Sequence, residues 1–145
     1  MMKTIRLMKT IRLMILALAL PVLAACSKTT MNTIALTGKW EHFKTVSYED
    51  TKDAQTWYPT AEGYRIFYLF ESDGRFLKVT ESLTTTATDS REATWFVDGN
   101  YLIVSYLDGP IEYRIQKAGL LEVVLEDKYT QNGHSYVDYI YLKKP

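Results

Sequence analysis

The sequence predicts an all-β fold, a single eight-stranded antiparallel up-and-down barrel. Three observations predict it. From Gly38 onward, short β-branched and aromatic segments alternate with clusters of Gly, Asp, Asn and Pro, and helical periodicity never outlasts a turn or two. Asp-Gly pairs at 73–74 and 108–109 fall between such segments, and tight hairpin turns need residues that tolerate positive φ. Side chains also alternate by parity: Ile111, Tyr113 and Ile115 are interleaved with Glu112, Arg114 and Gln116, the pattern of a strand with one buried and one wet face.

The first strand is expected over 39–48, followed by fifteen polar residues, 49–63, with Trp57-Tyr58-Pro59 in the middle. A connection of that length within a meander points to a functional or mobile loop, here a candidate lid. The second strand, 64–71, turns through Ser72-Asp73-Gly74 into a third over 75–83. A polar connector, Thr84 to Ser90, precedes a fourth over 91–97, and Asp98-Gly99-Asn100 leads to a fifth over 101–107. Asp108-Gly109-Pro110 opens a sixth over 111–117, Ala118-Gly119 a seventh over 120–127, and Asn132-Gly133 precedes an eighth over 134–143. In the seventh strand Leu121, Val123 and Leu125 are the expected inward residues. The second and eighth are apolar on both parities and leave their facing open.

The chain begins with four basic residues, Lys3, Arg6, Lys9 and Arg12, and an apolar run from Leu13 to Ala25. A basic region, a short apolar core and small residues describe a secretory signal, and the run is shorter than the ~20 residues of a membrane-spanning helix. Leu23-Ala24-Ala25-Cys26 resembles the lipobox of bacterial lipoproteins, whose peptidase cleaves before an acylated cysteine. The resemblance implies that 1–25 is a lipoprotein signal peptide, that Cys26 carries the lipid, and that 26–37 is a tether to a barrel domain over 38–145. The alternative is an ordinary signal followed by an incidental cysteine. Met2 to Leu7 repeats as Met8 to Leu13, so the true start is Met1, Met2 or Met8, with a working signal in each case.

Cleavage leaves 120 residues, room for one domain, with 13 basic residues remaining of 17 against 17 acidic ones, a net charge of −4. Binders of nucleic acid show a basic patch or stripe, which this balance argues against. Cys26 is the one cysteine, so acylation leaves no thiol for a disulfide or metal cluster.

Several short motifs recur in order: Gly38-Lys39-Trp40, Phe70-x-x-Asp73-Gly74, a lone Trp95, Gly99-Asn100-Tyr101-Leu102, Tyr113-x-Ile115 and Tyr141-Leu142-Lys143-Lys144. The set resembles the small lipocalin-like domain lipoproteins of the Bacteroidota, over about residues 36 to 144. The resemblance implies a barrel whose closed end is plugged by Gly38 and Trp40. Neither an aspartate after Cys26 nor an acidic run beyond it is present, which implies an outer-membrane anchor facing the periplasm.

Catalytic constellations are missing from the sequence. His42 and His134 have no metal-ligand spacing around them, so no metal is expected and a hydrogen-bonded or exposed histidine is the default. Asp73, Asp98 and Asp108 suit turns. Glu49-Asp50 and Glu126-Asp127 are expected at strand ends as solvated charge. No catalytic residue and no cofactor follow from this, and an enzyme is not expected. The enrichment that remains is aromatic, with eleven tyrosines, three tryptophans and five phenylalanines. An eight-stranded barrel is either filled by side chains or holds one small ligand, and tyrosines suit both uses. Trp57, Tyr58 and Tyr113 are the candidate ligand-binding residues. Two functions compete: a lipid-anchored barrel that binds a small hydrophobic or aromatic ligand, and a structural or inhibitor-like barrel with a filled core that contacts another envelope protein.

Overall fold

The structure is a computed structural model that describes residues 28–50 and 52–145. The signal segment 1–25, its tandem copy, Cys26, Ser27 and Thr51 lie outside the described residues. Nine strands follow one another: β1 (Gly38–Glu49), β2 (Gln55–Trp57), β3 (Tyr64–Phe70), β4 (Arg75–Ser82), β5 (Thr88–Asp98), β6 (Tyr101–Tyr106), β7 (Gly109–Ala118), β8 (Glu122–Gln131) and β9 (His134–Lys143). From β3 onward each strand pairs antiparallel with the next, and β1 pairs with both β3 and β9. The β1–β9 ladder, from Glu41 opposite Lys143 to Glu49 opposite Tyr136, closes the ring. The expected eight-stranded up-and-down barrel is therefore present, formed by β1 and β3–β9, with β2 as an extra strand.

β2 arises where β1 leaves β3. The two pair only from Gly38 to Glu41, and a bulge between His42 and Lys44 then re-aims β1. From Thr45 to Ser47 the freed edge of β1 pairs instead with β2. A 3-10 turn at Pro59–Glu62, with Pro59 buried, packs against β3 and β1 and closes the connection. The segment expected as a lid thus contains an added strand laid along the barrel wall. Its start is pinned by Asp50, whose backbone N–H donates to the Ser135 carbonyl and whose carboxylate accepts from the Ser135 N–H.

Three strands differ from expectation by two or more residues: β7 begins at Gly109 rather than 111, β8 runs on to Gln131 rather than 127, and β5 and β8 have shifted starts. β5 begins at Thr88, inside the stretch expected as a connector. β8 starts at Glu122, because Gly119 bonds back to the Glu122 carbonyl and the turn consumes Leu120 and Leu121. Leu121, expected to face inward, is consequently 74% exposed.

The other departure precedes β1. Residues 28–36, expected as tether, form a helix, α1. Thr33 and Thr37 hydroxyls donate to the carbonyls of Thr29 and Thr33, and the Thr37 N–H closes the last turn on Thr33. The docking face of α1 is mostly polar. Thr29 Oγ1 accepts from the Gly99 N–H, Asn32 donates to the Gly99 carbonyl, and only Leu36, fully buried, adds an apolar anchor. α1 therefore covers the end of the barrel where β1 begins.

Candidate ligand-binding site

The closed end is solid. Trp40 is fully buried, its indole N–H donates to the Leu36 carbonyl at 2.7 Å, and the Lys144 ammonium lies 3.8 Å from its ring centre. Gly38 has φ of 121°, and a Cβ there would meet Lys144 Nζ at 3.2 Å, so glycine suits both the backbone and the space. Phe70 packs edge-on to Trp95 at 5.1 Å, and the Trp95 indole donates to the Glu71 carbonyl. The Trp95 backbone N–H reaches the Gly74 carbonyl, while Gly99 bonds to α1. Most of the ordered motif set thus converges on one plug of rings, turns and backbone bonds.

The other end is built differently. Pairing register and burial establish which side chains face inward, since successive residues of a strand point to opposite faces. On β9 the buried Leu142 and Ile140 are followed, in the same phase, by Asp138 and Tyr136. On β8 Val123 and Leu125 lead to Asp127 and Tyr129, which pair with Asp138 and Tyr136. On β4 Phe76 leads to Lys78, and on β5 Trp95 and Ala93 lead to Arg91, the cross-strand partner of Lys78. β3 contributes Tyr68, β6 Tyr106 and β7 Tyr113. On β4, β5, β8 and β9 the inward row runs from apolar at the closed end to charged towards the other end, whereas β3 and β7 place Ile66 and Ile111 beyond their tyrosines. In a ring of eight, β4 stands opposite β8 and β5 opposite β9. A basic wall thus faces an acidic wall, with tyrosines on the walls between.

The electrostatics follow from this placement. Burial, then the neighbouring guanidinium of Arg91, pushes the Lys78 pKa down. Lys78 makes no ion pair or hydrogen bond with the described residues; its ammonium lies 5.8 Å from the Tyr68 ring centre. Burial, then the Asp138 carboxylate, pushes Asp127 up. Asp138 Oδ2 accepts from the Tyr129 hydroxyl at 3.2 Å, while its Oδ1 is buried with no hydrogen-bond partner among the described residues. Burial raises Tyr68, Tyr106 and Tyr113, so their hydroxyls stay neutral. Tyr113 feels both Asp127 and Arg91, which places it between the two walls. Arg91 stacks over the Tyr106 ring at 3.9 Å and reaches Asp108 at the rim at 2.5 Å.

The candidate residues fall in different places. Tyr113 faces the barrel interior and is half-buried. Trp57, on β2, sets its ring edge-on to His42 at 5.5 Å, in the seam between β1 and β3. Tyr58 packs on the outward Phe43 at 5.8 Å. No contact among the described residues brings Trp57 or Tyr58 to Tyr113. Cys26 lies outside the described residues. His42, expected as an ordinary histidine, is 6% exposed and bonded through Nε2 to Thr45 Oγ1 at 2.8 Å. Burial, then the Lys78 charge, lowers its pKa to about 4 despite an opposing backbone contribution from Lys44. His134 lies at the rim, its Nδ1 2.9 Å from Asp50 Oδ2. Among the described residues no group of His, Cys, Asp and Glu could hold a metal ion.

The expectation for Glu126-Asp127 needs correction. Both residues lie within β8, not at its end. Glu126 is buried on the outer face, bonded to Gln116 and paired with Lys128, and Asp127 faces inward. Lys78, Arg91, Asp127 and Asp138 were missed by motif reading. The signal that finds them is parity: Phe76-x-Lys78, Leu125-x-Asp127 and Asp138-x-Ile140 each put a charge in phase with the core.

No family model matches this chain, and no curated protein matches it. Among solved structures, an uncharacterized protein from Bacteroides eggerthii DSM 20697 is similar at 12% identity, over 74% of this chain and 98% of that chain, with a TM-score of 0.52. The siderocalin Ex-FABP, described as functioning through dual ligand specificities, matches at 10% identity over 77% of this chain and 74% of that chain, with a TM-score of 0.47. The first likeness is one of fold alone. The closed ring of β1 and β3–β9, plugged by Gly38 and Trp40, is itself an eight-stranded up-and-down barrel that fits the lipocalin-like fold.

Proposed function

We propose that this chain is a non-enzymatic binding barrel, held at the cell envelope by an acylated Cys26, whose open half receives one small ligand with a flat body. The observation that carries the reading is the contrast along the barrel axis. Trp40, Phe70, Phe76 and Trp95 are at most 5% exposed, whereas the inward Tyr106 and Tyr113 are only partly buried. Rings that are part-buried inside a closed wall offer apolar faces and hydroxyl groups to a guest. Trp57, edge-on to His42 in the barrel wall, supplies the fluorescence readout in the test of this reading. A tryptophan-fluorescence titration against fatty acids, sterols and small aromatic compounds should therefore reveal a saturable binder. A flat response to every compound in the set would contradict the reading.

The anchor is a separate part of the proposal, with the outer membrane, periplasmic side, as the expected site. Mass spectrometry of the mature protein should find Cys26 first in the chain and carrying acyl chains, and Cys26→Ser should release the protein from the membrane fraction. A free thiol in the mature material would contradict it.

A second reading is favoured by one feature of the outer wall. Tyr48, Val137, Tyr139 and Tyr141 line a groove of about 410 Å³ on the β1–β9 face, where Lys44 lies 4.5 Å from the Tyr141 ring centre and Lys143 4.8 Å from that of Phe43. Such a face suits contact with another envelope protein. Crosslinking in intact cells, repeated with Tyr139→Ser, separates the readings: a partner lost on that change favours the outer face.

A further inference from the structure

We propose that the guest of this barrel is dipolar: an anionic group directed at Lys78 and Arg91, a cationic or hydrogen-donating group directed at Asp127 and Asp138, and a flat body between them against Tyr106 and Tyr113. The proposal deepens the binding-barrel reading and rests on it.

Lys78 is directly opposite Arg91 across the β4–β5 ladder, and Asp127 directly opposite Asp138 across the β8–β9 ladder. Like charges in directly opposed positions on one face of a sheet destabilise it. Here the arrangement occurs twice, with opposite sign, on walls four strands apart in a ring of eight. Exchanging one Asp with one cation would give each wall an internal ion pair, so stability alone does not explain the pattern.

Nor do the walls satisfy each other. No ion pair joins them among the described residues. Arg91 turns to Asp108 at the rim, while among the described residues Lys78 has no ion-pair or hydrogen-bond partner and Asp138 Oδ1 is buried and unbonded. Burying charged and polar groups without partners is costly, and a guest that supplies the missing partners recovers that cost. A guest with one charge satisfies one wall only. A wholly apolar guest displaces water from both and satisfies neither, which sets this barrel against fatty chains and sterols. Because the walls are opposed, the two charges of the fitting guest are separated by its body, as across a benzene ring, rather than adjacent.

Calorimetric titration of the purified mature protein tests this with four probes built on one benzene ring: 4-(aminomethyl)benzoate, benzylamine, benzoate and benzyl alcohol. The zwitterion should bind at least about tenfold tighter than either singly charged probe, and benzyl alcohol weakest. Lys78→Met should reduce the zwitterion to the affinity of benzylamine while leaving benzylamine itself unreduced. Asp127→Asn should do the reverse with benzoate. Arg91→Gln, at the more exposed basic position, provides a second basic-wall variant should Lys78→Met fail to fold, and the wild-type ranking decides without any variant. Benzyl alcohol binding as tightly as the zwitterion, or affinities unmoved by the charge changes, would overturn the proposal. So would a saturable fatty acid with no response to the four probes, although that outcome leaves the binding barrel standing. Silence from every compound would contradict both.

Discussion

Folding places His42 between the rings of Trp57 and Tyr68, with Nε2 on Thr45 and the Lys78 charge nearby. Its pKa falls from 6.5 to about 4, so the folded protein holds it neutral where the unfolded chain already binds a proton. Stability from this residue is therefore complete above pH 6.5, declines as pH drops towards 4, and levels off below. The full loss is on the order of 3 kcal/mol. Urea unfolding followed from pH 7 to pH 4 should show that decline, and His42→Phe should remove it. An unchanged slope in the variant would assign the decline to other groups. At the closed end, Trp40→Ala removes a fully buried ring and its bond to Leu36, and should cost about 3–5 kcal/mol by the same measurement. A cost near zero would mean that the plug is not rigid.

At the scale of elements, α1 holds to the barrel through Thr29 and Asn32 on Gly99 and through the buried Leu36, whose carbonyl accepts from Trp40. Thr29→Ala and Asn32→Ala should each lower stability by about 0.5–1.5 kcal/mol. Hydrogen exchange in the double variant should loosen residues 28–36 and leave β8 and β9 protected. Equal loosening everywhere would show that α1 belongs to the same cooperative unit as the sheet. These contacts also explain why α1 was not legible in the sequence. Its docking positions, 29, 32, 33 and 36, do follow helical spacing, but three of the four are polar, so no apolar stripe marks them. β2 was hidden for a related reason. Its residues, Gln55 to Trp57, are all exposed, and it exists because a bulge in β1 frees an edge, which is a property of tertiary pairing. The other strands were legible because Gly74, Gly99, Gly109 and Gly133 have positive φ at the turns that separate them.

Across the whole molecule, the motif residues report the closed end and not the site. Gly38, Trp40, Phe70, Gly74, Trp95 and Gly99 hold the plug, so their order in the sequence indicates fold while saying little about cargo. The candidate site lies at the other end, in charges that are conspicuous only once a strand's inward phase is known. Strand β9 shows the difficulty: Tyr139 and Tyr141 face outward and Asp138 and Ile140 inward, yet residues 136–142 are mostly apolar on both parities. Register with β8 resolves what alternation cannot. The central claim is that the open half of the barrel, and no outer surface, receives the ligand. It is tested most directly by amide chemical-shift mapping of the 15N-labelled protein titrated with 4-(aminomethyl)benzoate. Saturable shifts are expected at Lys78, Arg91, Tyr113, Asp127 and Asp138, with Trp40 and Trp95 unmoved. Shifts confined to the outer face at Tyr48, Tyr139 and Tyr141, or none at all, would contradict it.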